Sequence, residues 1–312
     1  MIGEAGGWEE EKDAIFLYTQ RQMMLPRPRY QLLLMVIFFA LVAPAFCRKH
    51  DTGFLDREVE VNRATYRYQV FVPPTFDPHK KWPVILFLHG VGSRGDDGFR
   101  QTDIGLPHAI RRQVSRFPFI VVMPQCRKNT KWIDPTMQAE ALAALDNSIR
   151  EFHGDRDRVY LTGLSMGGYG VWDMTAQHPG IFAAYVPISG GIYGPPKVPE
   201  ARVNLAADPN VRDPYAETAK RIGTTPIWIF HGSDDGTVPV EESRKMAQAL
   251  KAANANFRYT EYAGVGHDAW DRAYAEPELV PWLLAQTLHH HSLRVQHEQG
   301  PHPTASKSRR MR

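Results

Sequence analysis

The chain has 312 residues, 43% of them hydrophobic, and a formal net charge of only +3. That is room for one large α/β domain with extensions, or two small domains, around a substantial core. Much of the basic excess sits in Lys307 to Arg312, so the body is near neutral, which argues against a nucleic-acid-binding protein.

The first 22 residues are acidic and irregular. Arg27 and Arg29 then precede an apolar run, Leu32 to Ala43, and Ala43-Pro44-Ala45 gives a small-x-small exit. Basic flank, short apolar core and small-residue exit describe a secretory signal peptide over residues 23–47. The run is short for a spanning helix, which takes roughly 20 apolar residues. An uncleaved membrane anchor is the alternative. Such a leader belongs at the start of a chain, so translation is expected to begin at Met23 or Met24. A secreted or periplasmic protein follows, with no stable membrane partner once the leader is removed. Removal of Cys47 with the leader leaves Cys126 single, expected as a buried structural thiol. No Cys or His spacing suggests a metal, and no cofactor is expected.

From about Phe54 to Leu288 the pattern is steady. Glu58 to Asn62 and Tyr66 to Val72 alternate in polarity around Asn62-Arg63-Ala64, and read as an antiparallel hairpin ended by Pro73-Pro74. Short runs that read as strands follow at Val84–Leu88, Phe119–Met123, Val159–Leu161, Ala183–Ile188, Ile227–Phe230 and Phe257–Tyr262. Helical periods separate them at Pro107–Val114, Pro135–Phe152, Gly168–His178 and Val240–Ala253, with a last one at Pro277–Leu288. Apolar strands alternating with helices predict an α/β fold with a mostly parallel sheet covered on both faces. Sites in such sheets lie at the carboxyl ends of the strands. Gly190 to Pro214 is rich in Gly, Pro and Asn, and is expected as an insert or cap beside the site. The polar tail over residues 289–312 is expected to be disordered; its His289-His290-His291 run is expected as part of a solvated tail, not a metal site.

Three loops carry the chemistry. Val159-Tyr160-Leu161-Thr162 leads into Gly163-Leu164-Ser165-Met166-Gly167, and a helix follows. Strand, Gly-x-Ser-x-Gly and helix make a nucleophile elbow, which exposes Ser165 Oγ on a tight turn. A serine hydroxyl is a weak nucleophile and needs a base. The strand ending at His231 runs into Gly232-Ser233-Asp234-Asp235-Gly236, and the next into Gly264-Val265-Gly266-His267-Asp268. His267 is the candidate base, and Asp234 or Asp235 the candidate acid that fixes its tautomer. Asp268 is the poorer choice, because adjacent residues rarely place side chains head-on. The oxyanion of an acyl-transfer intermediate needs preorganised donors. The candidates are the backbone N–H of Met166 and that of Val91, or Gly92, in Leu88-His89-Gly90-Val91-Gly92-Ser93-Arg94-Gly95. Singly, each signal has an ordinary structural explanation, such as a Gly-rich turn or a solvated acidic turn. Here each one ends its own strand, in one consistent order. His89 and His231 are expected to support loop geometry. Core packing is expected of Trp132, Tyr169, Trp172, Tyr193 and Trp270, with pocket lining as the alternative. Arg94 to Gly98 lacks calcium-ligand spacing, and no P-loop is present.

Phe87 to Gly95, Pro124-Gln125-Cys126, Val159 to Gly170, His231 to Pro239 and Gly264 to Trp270 together span about residues 56–288. In these segments the chain resembles the predicted peptidase and phospholipase–carboxylesterase branch of the α/β-hydrolases, akin to esterase-D and polyhydroxybutyrate-depolymerase-like enzymes. The resemblance implies an α/β-hydrolase fold over residues 54–288 and a serine esterase acting without cofactor or metal on a small-molecule or polymer-linked ester. The family pattern His-Gly-x-x-Asp-x-x-Val-Pro falls on His231 to Pro239 and implies Asp235 as the acid, with Ser165 and His267. A serine peptidase on the same triad is the alternative, and a binding module on a dead scaffold is the alternative from another class.

Overall fold

The computed structural model describes residues 51–288. The expected extension over residues 1–22, the leader over 23–47 and the tail over 289–312 lie outside the described residues. Among the described residues no helix is long and apolar enough to cross a membrane.

The chain enters as a hairpin, β1 (Gly53–Val61) and β2 (Ala64–Val72). Asn62 and Arg63 have φ of 52° and 65°. Two successive positive φ values make the turn whose twist matches that of the strands it joins. The strands are β3 (Trp82–Leu88), β4 (Ile120–Pro124), β5 (Gly154–Leu164), β6 (Ala184–Ile188), β7 (Ile227–Gly232) and β8 (Phe257–Tyr262). They form one sheet in the order β1-β2-β4-β3-β5-β6-β7-β8. β2 pairs antiparallel with β1 and β4, and every later pairing is parallel. The mostly parallel sheet and the antiparallel entry agree with the sequence reading.

The helices are α1 (Leu106–Arg112), α2 (Pro135–Glu151), α3 (Met166–Gln177), α4 (Asn204–Ala207), α5 (Pro214–Ile222), α6 (Glu241–Ala252), α7 (Trp270–Ala275) and α8 (Leu279–Leu284). They cover both faces of the sheet, and β3 shows the effect on sequence. Val84, Leu86 and Leu88 enter the core shared with α2, α3, α5 and α6, while Ile85 and Phe87 enter the one shared with α1, α7 and α8. All five are buried. Each is worth about 1.5–3 kcal/mol of apolar burial, so neither face tolerates a polar residue and the alternation of a half-exposed strand disappears.

Helix boundaries moved where prolines cluster. The helix expected over Pro277–Leu288 is only the six residues of α8, and α7 forms separately before it. Within the expected insert, a 3-10 turn at Pro199–Ala201 and the one-turn α4 are the regular elements. At its end α5 starts on an Asp213 cap, whose carboxylate accepts from the N–H groups of Tyr215 and Ala216.

Candidate active site

β5 delivers Ser165 and α3 begins one residue later. Ser165 itself takes φ 52° and ψ −118°. A non-glycine residue there is strained by about 1–3 kcal/mol and holds only where its surroundings force it. The forcing comes from main chain on both sides. A Cβ on Gly167 would lie 1.9 Å from the Leu88 carbonyl oxygen, and one on Gly163 2.5 Å from the Gly167 oxygen. Both contacts are with backbone, so no rotamer change relieves them. Gly167→Ala is therefore expected to lower stability by at least about 2–3 kcal/mol, read as the midpoint of urea unfolding. A midpoint equal to wild type would show that the elbow yields.

Ser165 Oγ lies 2.8 Å from His267 Nε2, and His267 Nδ1 lies 2.7 Å from Asp235 Oδ2. The three residues come from the ends of β5, β7 and β8, all at the carboxyl edge of the sheet. With a carboxylate on Nδ1, that nitrogen carries the proton and Nε2 is free to take one from Oγ. Trp270 packs edge-on against the imidazole at 5.3 Å between ring centres. The Asp235 side chain is fully buried. Burial alone would push its carboxyl up. Hydrogen bonds from His231 and His267, and from the N–H of Val238, outweigh that and hold it far below the usual carboxylate range. Asp234 and Asp268, the other candidates, are exposed.

Asp235 also serves a second histidine. His231 Nε2 lies 3.1 Å from Asp235 Oδ2 and 3.1 Å from the Val238 carbonyl, while His231 Nδ1 lies 2.7 Å from Ser243 Oγ. Ser243, His231 and Asp235 thus have the connectivity of a triad, but with the two imidazole nitrogens exchanged. His231 and Ser243 are 0% and 1% exposed, so no substrate reaches that serine.

Val91 opens a 3-10 turn after β3, and Met166 opens α3. First-turn N–H groups have no partner inside their own helix, and both residues line the cleft beside Ser165. His89 anchors the Val91 loop from beneath. Its Nδ1 donates to the Gly90 carbonyl at 2.6 Å, its Nε2 accepts the Cys126 N–H at 3.0 Å, and Trp132 Nε1 donates to its carbonyl at 2.9 Å. Burial pushes the His89 imidazole down to about 4, which keeps it neutral as this pattern needs. Cys126 is a buried structural thiol, pushed up to about 12 by burial.

The cleft measures about 320 Å3, with Val91, Ile133, Met166, Tyr169, Val198 and Val238 on its apolar wall. Trp132 and Trp172 are core residues, whereas Tyr169 reaches the cleft. One side is built by Pro195 to Ala201, within the Gly190–Pro214 segment. That side is tethered at both ends. Glu242 on α6 accepts from the N–H groups of Ile192 and Tyr193, at 2.9 and 2.8 Å. Asp173 on α3 accepts from the N–H and side-chain amide of Asn204, at 2.6 and 2.8 Å. Arg94 and Lys131 also border the cleft, and Lys131 donates to the Glu200 carbonyl at 3.2 Å. Neither cation, nor the two tethering carboxylates, stood out in the sequence. The contacts that place them reach across the chain: Arg94 donates to the Thr130 carbonyl, Lys131 to that of Glu200, and Asp173 and Glu242 accept from Asn204 and Ile192.

The strand order, the elbow and the Ser–His–Asp chain define an α/β-hydrolase with serine-hydrolase machinery. The chain belongs to the dienelactone hydrolase family, whose profile matches residues 112–277, more than half of its length. Similar proteins include esterase YjfP of Escherichia coli, 29% identical over 106 residues, which are 30% of this chain and 43% of that protein. Poly(3-hydroxyalkanoate) depolymerase C of Paucimonas lemoignei is 33% identical over 160 residues, 42% of this chain and 37% of that protein. The chain therefore spans less than half the length of these relatives. The crystal structure of a thermostable esterase superposes with a TM-score of 0.63 at 31% identity, over 75% of this chain and 63% of that one.

Proposed function

We propose that this chain is a serine hydrolase that cleaves carboxylic esters through an acyl-enzyme on Ser165. The observation that carries the reading is the unbroken hydrogen-bond chain from Ser165 Oγ through His267 to the buried Asp235 carboxylate. As Oγ attacks the ester carbonyl carbon, His267 Nε2 takes its proton, and Asp235 stabilises the imidazolium that forms. The developing oxyanion is placed against the N–H groups of Val91 and Met166. The tetrahedral intermediate collapses, the alcohol leaves with the proton held by His267, and water releases the acid by the same steps in reverse order. The ester reading draws support from the names of the relatives, an esterase and a polyester depolymerase. A cleft of about 320 Å3, at the small end of ligand pockets, favours a short acyl group against the apolar wall, with the Gly190–Pro214 segment acting as a cap. Export belongs to the same proposal, and rests on the Leu32 to Ala43 run and its small-residue exit.

The test is a fluorophosphonate probe followed by peptide mapping, with a panel of p-nitrophenyl esters and peptide p-nitroanilides. Labelling at Ser165 and ester turnover that falls steeply with acyl length are expected. No labelling of the folded chain would point to a binding scaffold. Anilides cleaved as fast as esters would make it a peptidase.

A further inference from the structure

Asp235 Oδ2 faces two imidazoles, while Oδ1 is held by the backbone N–H groups of Thr237 and Val238 at 2.8 and 2.9 Å. The His231 tautomer follows from its neighbours. Nε2 meets only acceptors, Asp235 Oδ2 and the Val238 carbonyl, so it carries the proton. Nδ1 is then bare and accepts the Ser243 hydroxyl hydrogen. Two N–H groups therefore share one carboxylate oxygen, one from the base His267 and one from His231, which touches no substrate.

We infer that His231 is a positioning residue of the triad, which donates to the Asp235 oxygen facing His267 and so draws off part of the charge that would otherwise bind the His267 proton. The inference rests on the triad reading above. The backbone N–H groups on Oδ1 already fix the orientation of the carboxylate, so what His231 adds is a second claim on Oδ2. The other charged or titratable groups around the pair have partners of their own. Glu261 on β8 is neutralised by Arg244 of α6, at 2.6 and 2.9 Å. Glu242 of α6 accepts from Ile192, Tyr193 and the Tyr215 hydroxyl. Tyr169 of α3 is held neutral by burial and donates to the Tyr193 carbonyl. Asp268 is exposed, and so is Asp234, which accepts from Ser233 Oγ.

The sharing has a signature in the acid limb of kcat/KM, along which His267 must shed its proton before it can act as base. A glutamine amide reaches the position of Nε2, and an asparagine amide reaches only that of Nδ1. His231→Gln thus keeps the donor to Asp235, and His231→Asn removes it while still bonding Ser243. In the full chain assayed on p-nitrophenyl acetate, with active sites counted by fluorophosphonate, His231→Asn is expected to move the limb up by about 0.5–1 pH unit. His231→Gln is expected to restore it. Ser243→Ala is expected to leave it in place, because Asp235 and Val238 still dictate the tautomer. A merely structural role would lower the count of active sites in all three without separating Asn from Gln. Coincident limbs with Ser165-dependent turnover would overturn the sharing alone. Turnover that survives Ser165→Ala would overturn the triad reading as well. The wild-type chain gives a check that needs no variant. Imidazole 15N spectra should show His231 protonated at Nε2 and bare at Nδ1, and the opposite tautomer would overturn the inference.

Discussion

Replacing Ser165 with alanine is expected to lower kcat for a p-nitrophenyl ester by about 10^5-fold and to leave the fold in place. On the proposed mechanism the loss is large because the hydroxyl oxygen forms the covalent bond, and His267 alone activates water poorly at a position built for Oγ. The fold survives because the elbow is held by main chain. Gly163 and Gly167 are jammed against backbone, and the Ser165 N–H donates to the Ile188 carbonyl at 2.9 Å; both features persist in the variant. The hydrogen bond lost, Oγ to His267 at 2.8 Å, is partly exposed and worth about 1 kcal/mol. That moves Tm by only about 2–4 °C in a domain of this size. Turnover per folded molecule and Tm, measured on one preparation, separate the two effects. Activity within tenfold of wild type would remove Ser165 from the mechanism.

The second large effect belongs to Asp235→Asn, expected to lower kcat by about 10^4-fold. Four N–H groups point at this carboxylate: those of Thr237 and Val238 at Oδ1, and those of His231 and His267 at Oδ2. A carboxylate accepts all four, and an amide cannot. Placing the amide oxygen on the backbone side turns NH2 toward both imidazoles. His267 must then accept at Nδ1 and carry its proton on Nε2, facing Ser165 as a donor when a base is required. Asp234→Asn is the matched control. Its carboxylate is exposed and takes a hydrogen bond from Ser233 Oγ, so a change of no more than about twofold is expected. The reverse ranking of the two variants would move the acid to Asp234.

Much of this site was legible in the sequence because its determinants are local. The elbow is five consecutive residues, and its strain requires glycines that can be read off directly. The oxyanion loop and the two turns after β7 and β8 are equally short; β3 and β7 announce themselves by apolar residues buried on both faces, and β8 by the aromatic Phe257, Tyr259 and Tyr262 of a half-exposed edge strand. Choosing Asp235 over Asp234 needed more than spacing. The distinction is which of two neighbours turns inward, and only the family pattern carried it. What stayed hidden was non-local. His231 ends a strand in sight of the acid, but that its Nε2 reaches Asp235 depends on Val238 and on Ser243 twelve residues further along α6. The helix ends show the same limit. An Asp-Pro pair caps both α2 and α5. The first was read because 17 residues of helical period follow it. The second was missed because α5 is nine residues long and begins inside a Pro- and Gly-rich stretch.

The wall from Pro195 to Ala201 hangs between two carboxylates that grip it by backbone and by Asn204. Apart from the ion pair of Glu200 with Lys131, at 3.8 Å, its own side chains carry little of that load. The nucleophile, by contrast, is fixed by main-chain contacts at the other side of the cleft. On the proposed reading, attack geometry and substrate choice thus lie in separate parts of the chain, and Pro195 to Ala201 form a cassette that can be rewritten without retuning the catalyst.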